Sequence, residues 1–304
     1  MAGLGYFFVS FPKASLISPV LGQNKLKIAD NIWFPKEASI SAKNKNIEDE
    51  ITSKAAFFVD TETGEVLFEK NSKEKLSIAS LVKIMSVIVT LENRSLDDLL
   101  NVSVQASEME PDKMYLKAGE RLTVKELLEG IFLVSGNDAA EVLAEETTGR
   151  REEFLNLMNS KARQLGMSNT NFINPTGLEE DPSTCSGQVV CQWSTAYDVS
   201  LMSRYAISKW PNLLDISSQP VIYIEETETH QEYGLNNGIN LLTTYPGVLG
   251  FKTGYTPEAG LTLVTVARRD GHQVLGVLLG ATNRRDDAKI LLDYSFAKLG
   301  VEVD

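Results

Sequence analysis

Histidine is nearly missing from this chain. There are two in 304 residues, His230 and His272, and neither stands near a cysteine or a cluster of carboxylates, so no metal site is expected. No G-x-x-x-x-G-K and no G-x-G-x-x-G occurs, which removes the common phosphate and dinucleotide cradles and leaves no cofactor implied. No run reaches the ~18–20 apolar residues that a membrane-spanning helix needs. Positive charge is short: 29 Lys and Arg stand against 41 Asp and Glu, a formal net charge of −12. That balance disfavours nucleic acid or an anionic membrane surface as the main partner. Cysteine is also scarce. Cys185 and Cys191 stand six positions apart in a polar stretch with Ser186 and Gly187. They can close a small disulfide loop, which implies an oxidising compartment; two free thiols are the alternative.

What is present is an ordinary globular composition, 43% hydrophobic and 23% charged, with length for one large domain or two smaller ones. Residues 1–50 read as irregular. An aromatic-rich run from Gly5 to Phe11 is broken by Pro12 and Lys13 and follows no positive charge, so it fits a signal peptide poorly. It reads as the remnant of an export signal or anchor, or as a wrongly assigned start. Residues 39–50 are polar and aperiodic and resemble a linker. The globular domain is expected over 51–304.

The chain is organised around Ser77-Ile78-Ala79-Ser80-Leu81-Val82-Lys83-Ile84-Met85. It opens an apolar segment to about Leu91 without Pro or Gly, which predicts a buried helix. Ser80 and Lys83, three apart, share one face of it. A serine hydroxyl needs a neighbouring base to act as nucleophile, and a lysine among apolar side chains loses its proton readily. Alone, Ser-x-x-Lys is weak: Ser72 and Lys75 match it too, in a charged stretch, and a core helix with a snorkelling lysine is the plain alternative.

Along the chain, 55–60 reads as a strand, 61–64 as its turn and 65–69 as the return strand. Short extended pieces are expected near 102–104. Thr123 to Glu126 looks like a capping box opening a helix to Leu133 that stops at Ser135-Gly136-Asn137. Further helices are predicted over 138–148, 151–165 and 194–206. The last third changes texture: strands are predicted at 221–224, 250–253, 261–267 and 273–279, with Asp270-Gly271 as a hairpin turn, then a closing helix over 286–299. Strands at both chain ends with helices between predict an α+β fold: one antiparallel sheet assembled from both termini, flanked by helices, with a helical region inserted in the middle.

Three separated pieces line up: Ser80-x-x-Lys83, Ser135-Gly136-Asn137 and Lys252-Thr253-Gly254. In that order they form the joint signature of penicillin-binding proteins and class A β-lactamases. With Asn174-Pro175-Thr176-Gly177-Leu178 and Ser194-Thr195-Ala196-Tyr197-Asp198, they resemble the low-molecular-mass penicillin-binding proteins of the D-alanyl-D-alanine carboxypeptidase family over about residues 51–299. The resemblance implies a β-lactamase/transpeptidase-like fold and removal of the terminal D-alanine of peptidoglycan stem peptides, outside the cytoplasmic membrane. It also implies β-lactam antibiotics as acylating inhibitors. By the same resemblance Ser80 is the nucleophile and Lys83, neutral through burial and the nearby Lys252 charge, its base. Ser135 passes the proton to the leaving amine, and Asn137 orients substrate and lysine. Lys252 and Thr253 grip the terminal carboxylate, Gly254 lets substrate backbone approach, and the Ser80 and Tyr255 amides form the oxyanion hole. Endopeptidase action with the same site, a β-lactamase and a non-catalytic penicillin-binding sensor are the alternatives. Glu152-Glu153-Phe154-Leu155-Asn156 imitates the deacylating E-x-x-L-N of class A β-lactamases. It lies close behind Ser135 in an amphipathic helix, so Leu155 reads as core and Glu152 as solvated first-turn charge.

Overall fold

The computed structural model describes residues 33–36, 45–178 and 192–302; Cys185 and Cys191, and the bridge expected between them, lie outside the described residues. A short helix α1 (Lys45–Glu50) precedes strands β1 (Ala55–Asp60) and β2 (Val66–Lys70). A tight 3-10 turn, Ala79–Val82, runs directly into α2 (Lys83–Asn93). Then follow β3 (Leu99–Asn101), α3 (Val104–Ser107) and β4 (Arg121–Thr123). The inserted helices are α4 (Val124–Leu133), α5 (Asn137–Thr148), α6 (Arg151–Gln164), α7 (Ala196–Lys209) and α8 (Asn212–Ser217). A ribbon of β5 (Val221–Ile224) and β6 (Tyr233–Asn236) leads to β7 (Val248–Thr256), β8 (Gly260–Arg269), β9 (His272–Ala281) and α9 (Arg284–Lys298).

The main sheet has the order β2-β1-β9-β8-β7, antiparallel at every joint, so the first and last strands of the domain meet at its centre. Both faces of this sheet are covered. Phe57 and Val59 join the cluster under the inserted helices, while Ala56 and Phe58 join a second cluster under α9. This two-sided burial explains why β1 reads as a continuous apolar run and not as an alternating one. Asp270 and Gly271, both left-handed at φ 46° and 82°, make the two-residue turn between β8 and β9. β7 is left as an edge strand. The α+β architecture matches the one expected.

Local signals explain the ends of the helices that carry the site. Thr123 Oγ1 accepts from the Glu126 amide at 3.2 Å while Glu126 Oε2 accepts from the Thr123 amide at 2.7 Å, a complete capping box that starts α4. α4 then ends two residues before Ser135, and α5 begins at Asn137, one residue earlier than predicted.

Two expectations need correction. Val104 is not extended: it opens α3, capped by the Ser103 hydroxyl, which accepts from the Ala106 amide at 2.9 Å. Nor are residues 1–50 uniformly irregular. Residues 45–50 form α1, whose Ile47 packs against the α9 cluster. The Lys36 amide donates to Gly64 O at 2.8 Å, and the Trp33 ring lies 5.5 Å from the Arg204 guanidinium. A six-residue helix with one apolar contact has no period to read, which is why the sequence pattern misses it.

Candidate active site

The 3-10 turn at 79–82 builds the site's centre. Ile78, Ala79, Leu81, Val82 and Ile84 are all buried, so the turn is enclosed by apolar side chains. Ala79 sits at φ 48°, a left-handed conformation that an alanine adopts only when its surroundings impose it. In a 3-10 turn residues three apart nearly eclipse. Ser80 and Lys83 therefore stand above one another, and Lys83 Nζ donates to Ser80 Oγ at 2.8 Å. Lys83 Nζ also donates to Asn137 Oδ1 and to Thr176 O, each at 2.7 Å. The side chain is wholly buried, and desolvation brings its pKa from the ordinary 10.5 to about 7, against the opposing pull of the Asp112 and Asp138 carboxylates. Burial is the largest cause. Lys252 is likewise pushed well below the ordinary lysine range, by burial first and then by the charges of Lys83 and Arg284, and the repulsion between the two lysines is mutual.

Ser135 sits between α4 and α5 at φ 61°, a second strained non-glycine position in the site. Its hydroxyl accepts from Lys252 Nζ at 2.8 Å. Lys252, also fully buried, donates to Thr253 O at 2.7 Å. It thus ties edge strand β7 to the turn before α5. Thr253 is half-buried and Tyr255 is exposed. At Gly254 a Cβ would fall 2.8 Å from the Ser80 amide nitrogen and 2.6 Å from Thr262 Oγ1, so glycine lets β7 close against the Ser80 turn.

Three groups that sequence reasoning left out complete the site. The Asn174–Leu178 stretch reads in the sequence as a turn and as part of the resemblance, with no role in the site; Asn174 Oδ1 gathers the Thr176 and Gly177 amides at 3.2 and 2.8 Å, which aims Thr176 O at Lys83. Arg284, in the first turn of α9, is half-buried and donates to Gly254 O at 2.8 Å. Asp138, beside Asn137, accepts from the Met114 and Leu116 amides at 3.0 and 3.1 Å. An Asn-Pro-Thr-Gly turn is a legible signal; a lone Arg or Asp at the start of a helix carries none.

The two decoys separate cleanly. Ser72 Oγ donates to Glu69 Oε2 at 3.3 Å, and Lys75 lies over the Trp193 ring at 5.3 Å, so that pair never meets. Glu152 is exposed in the first turn of α6, whose Phe154 and Met158 are core. A buried hydroxyl touching a neutralised amine, beside a second buried lysine and a bare strand edge, is suited to attack on a carbonyl next to a carboxylate.

Comparison with known proteins agrees with this geometry. A family model described as D-alanyl-D-alanine carboxypeptidase matches residues 41–283. The D-alanyl-D-alanine carboxypeptidase DacF of Bacillus subtilis is 35% identical over 254 residues, covering 81% of this chain and 62% of that protein. A D-alanyl-D-alanine endopeptidase of Pseudomonas aeruginosa is 30% identical over 221 residues, covering 72% of this chain and 68% of that protein. Among solved structures, the Streptomyces K15 DD-transpeptidase superposes with a TM-score of 0.74 at 28% identity, covering 81% of this chain and 98% of that one. This chain belongs to the D-alanyl-D-alanine carboxypeptidase family.

Proposed function

We propose that the protein is a serine-type carboxypeptidase that removes the terminal D-alanine from peptidoglycan stem peptides, and so acts outside the cytoplasmic membrane. The observation that carries this reading is the contact of Ser80 Oγ with Lys83 Nζ at 2.8 Å, with the amine brought by burial to a pKa of about 7. Neutral Lys83 takes the Ser80 proton as the oxygen attacks the carbonyl of the penultimate D-alanine. The developing oxyanion is held by the Ser80 and Tyr255 amides. Asn137 orients the lysine and the peptide. The charge of Lys252 and the Thr253 hydroxyl hold the terminal carboxylate, and Ser135 passes a proton to the amine of the departing D-alanine. Water then hydrolyses the ester on Ser80, with Lys83 again as base. A β-lactam enters the same site as an acylating inhibitor.

Endopeptidase action on cross-links uses the same groups, and the Pseudomonas relative favours it as the second reading. The solvated position of Glu152 weighs against a class A β-lactamase, because no carboxylate is offered there to drive deacylation. Mass spectrometry with benzylpenicillin and an assay of D-alanine release from a stem pentapeptide test the reading. A long-lived adduct on Ser80 and free D-alanine are expected, and Ser80→Ala is expected to abolish both while leaving the fold intact. Rapid turnover of the adduct would point to a β-lactamase. A stable adduct without D-alanine release would point to a sensor or, if cross-linked dimers are cut instead, to an endopeptidase.

A further inference from the structure

The segment before α5 forms a wall beside the site that the roles above leave unused. Asn137 N–H donates to Asp112 O at 2.7 Å, and Asp138 takes the Met114 and Leu116 amides. Met114 is buried, its Cγ 3.4 Å from where a Cβ on Gly136 would stand, so this wall is packed against the Ser135–Asn137 turn itself. Its outer end is held as well: Arg121 N–H donates to Thr229 O at 3.0 Å, and the Gln231 amide donates to Glu120 Oε1 at 3.1 Å. Asn137 joins this wall to the site: its N–H is held by Asp112 O while its Oδ1 accepts from Lys83 Nζ at 2.7 Å.

Between the buried Met114 and Leu116 stands Tyr115, at φ 68° and 71% exposed. A bulky side chain in the left-handed region is strained, and an aromatic ring left in water gains nothing from burial. The strain is sustained by the Asp138 clamp on either side. The ring is also steadied by Lys113, whose Nζ lies 5.4 Å from its centroid. The protein thus spends conformational strain to present an exposed aromatic face on the wall that adjoins the Ser135–Asn137 turn.

We infer that Tyr115 is a specificity-determining residue, a platform on which the part of the peptide ahead of D-alanyl-D-alanine rests. This rests on the carboxypeptidase reading. A peptide lying along the edge of β7 with its terminal carboxylate toward Lys252 sends its upstream residues out of the cleft, where an exposed ring adds contact area at little entropic cost. The ring is remote from the bond that breaks, so it contributes to holding long substrates and not to the chemical step.

The test compares three variants on two substrates, a stem pentapeptide and a blocked D-alanyl-D-alanine dipeptide, with benzylpenicillin acylation as a third readout. Tyr115→Ala is expected to raise KM for the pentapeptide roughly three- to tenfold, with kcat, the dipeptide and acylation unchanged. Tyr115→Asn, which tolerates the left-handed backbone, is expected to behave like Tyr115→Ala, and Tyr115→Phe like the unsubstituted protein. Equal losses on both peptides, a fall in kcat, or no change on either overturns the inference. So does a loss in Tyr115→Ala that Tyr115→Asn does not share, since that is a backbone effect. If the unsubstituted protein releases no D-alanine from either peptide, the carboxypeptidase reading fails and this one with it.

Discussion

At the scale of the residue, the fold opposes the charged form that Lys83 ordinarily has. Its neutral amine is what Ser80 needs, and burial supplies it at the expense of stability. The sign follows from proton counts. With a folded pKa of about 7 against an ordinary 10.5, the unfolded chain binds more protons between those values, so this group makes stability rise with pH across that window and lowers it at neutral pH. The same value governs reaction. Acylation of Ser80 by benzylpenicillin is expected to rise with pH about an apparent midpoint near 7 and to level off above it, provided acylation itself is rate-limiting. Stopped-flow acylation rates between pH 5 and pH 9 check this; a flat profile would remove Lys83 as the base. Lys252 differs in its partners: its amine touches Ser135 and a carbonyl, and a bound carboxylate would favour its charged form.

Among the elements, the contact between the 3-10 turn and its two neighbours decides where Ser80 points. The 174–178 turn presses on it from one side and β7 from the other. At Gly177, φ is 86° and a Cβ would lie 2.0 Å from Ala79 O and 2.9 Å from the Ser80 amide. Both facts forbid a side chain there: the left-handed backbone favours glycine, and Ala79 is already in a strained conformation with no room to retreat. Gly177→Ala is therefore expected to lower stability by about 2 kcal/mol or more and to cut acylation at least tenfold by displacing Ser80. Denaturation midpoints and labelling rates measured on the same preparation check it. Normal labelling at lowered stability would show that the turn supports the fold without aiming the serine.

For the whole molecule, the closing helix binds the start of the domain to its end. Asp287 in α9 is buried and accepts from the Thr52 amide and hydroxyl, each at 2.9 Å, and from the Ser53 amide and hydroxyl at 2.8 and 2.5 Å. These donors lie more than 230 residues away along the chain. The same helix carries Arg284, which donates to Gly254 O. Asp287→Ala leaves the buried Ser53 amide and hydroxyl without their acceptor, along with those of the exposed Thr52, and is expected to lower unfolding free energy by roughly 3 kcal/mol, read from the urea midpoint. An unshifted midpoint would mean that the two ends are held by sheet pairing alone. The N-terminal residues that reach the domain, Trp33 to Lys36 and α1, attach to the β1–β2 turn and the α9 side. None of them meets the site's lysines.

The candidate residues and the order of the elements were legible in the chain alone. Ser80-x-x-Lys83 in an apolar run, the turn at Ser135-Gly136-Asn137, the capping box at Thr123 and the Asp270-Gly271 hairpin are local patterns, and each appears where it was expected because propensity, capping and turn chemistry act over a few residues. The antiparallel sheet from both ends was legible in the same way, from where the strand-like runs fall. What only the tertiary structure decided is which groups meet across long separations. Thr176 O on Lys83, Arg284 on Gly254, Asp138 beneath Tyr115 and Asp287 on Ser53 join residues from different elements, and no period or motif within one segment encodes such a partner. Burial is decided there too. The amine of Lys83 titrates near 7 because the packed domain buries it completely, and that shift belongs to the packing and not to the four residues of the Ser-x-x-Lys pattern.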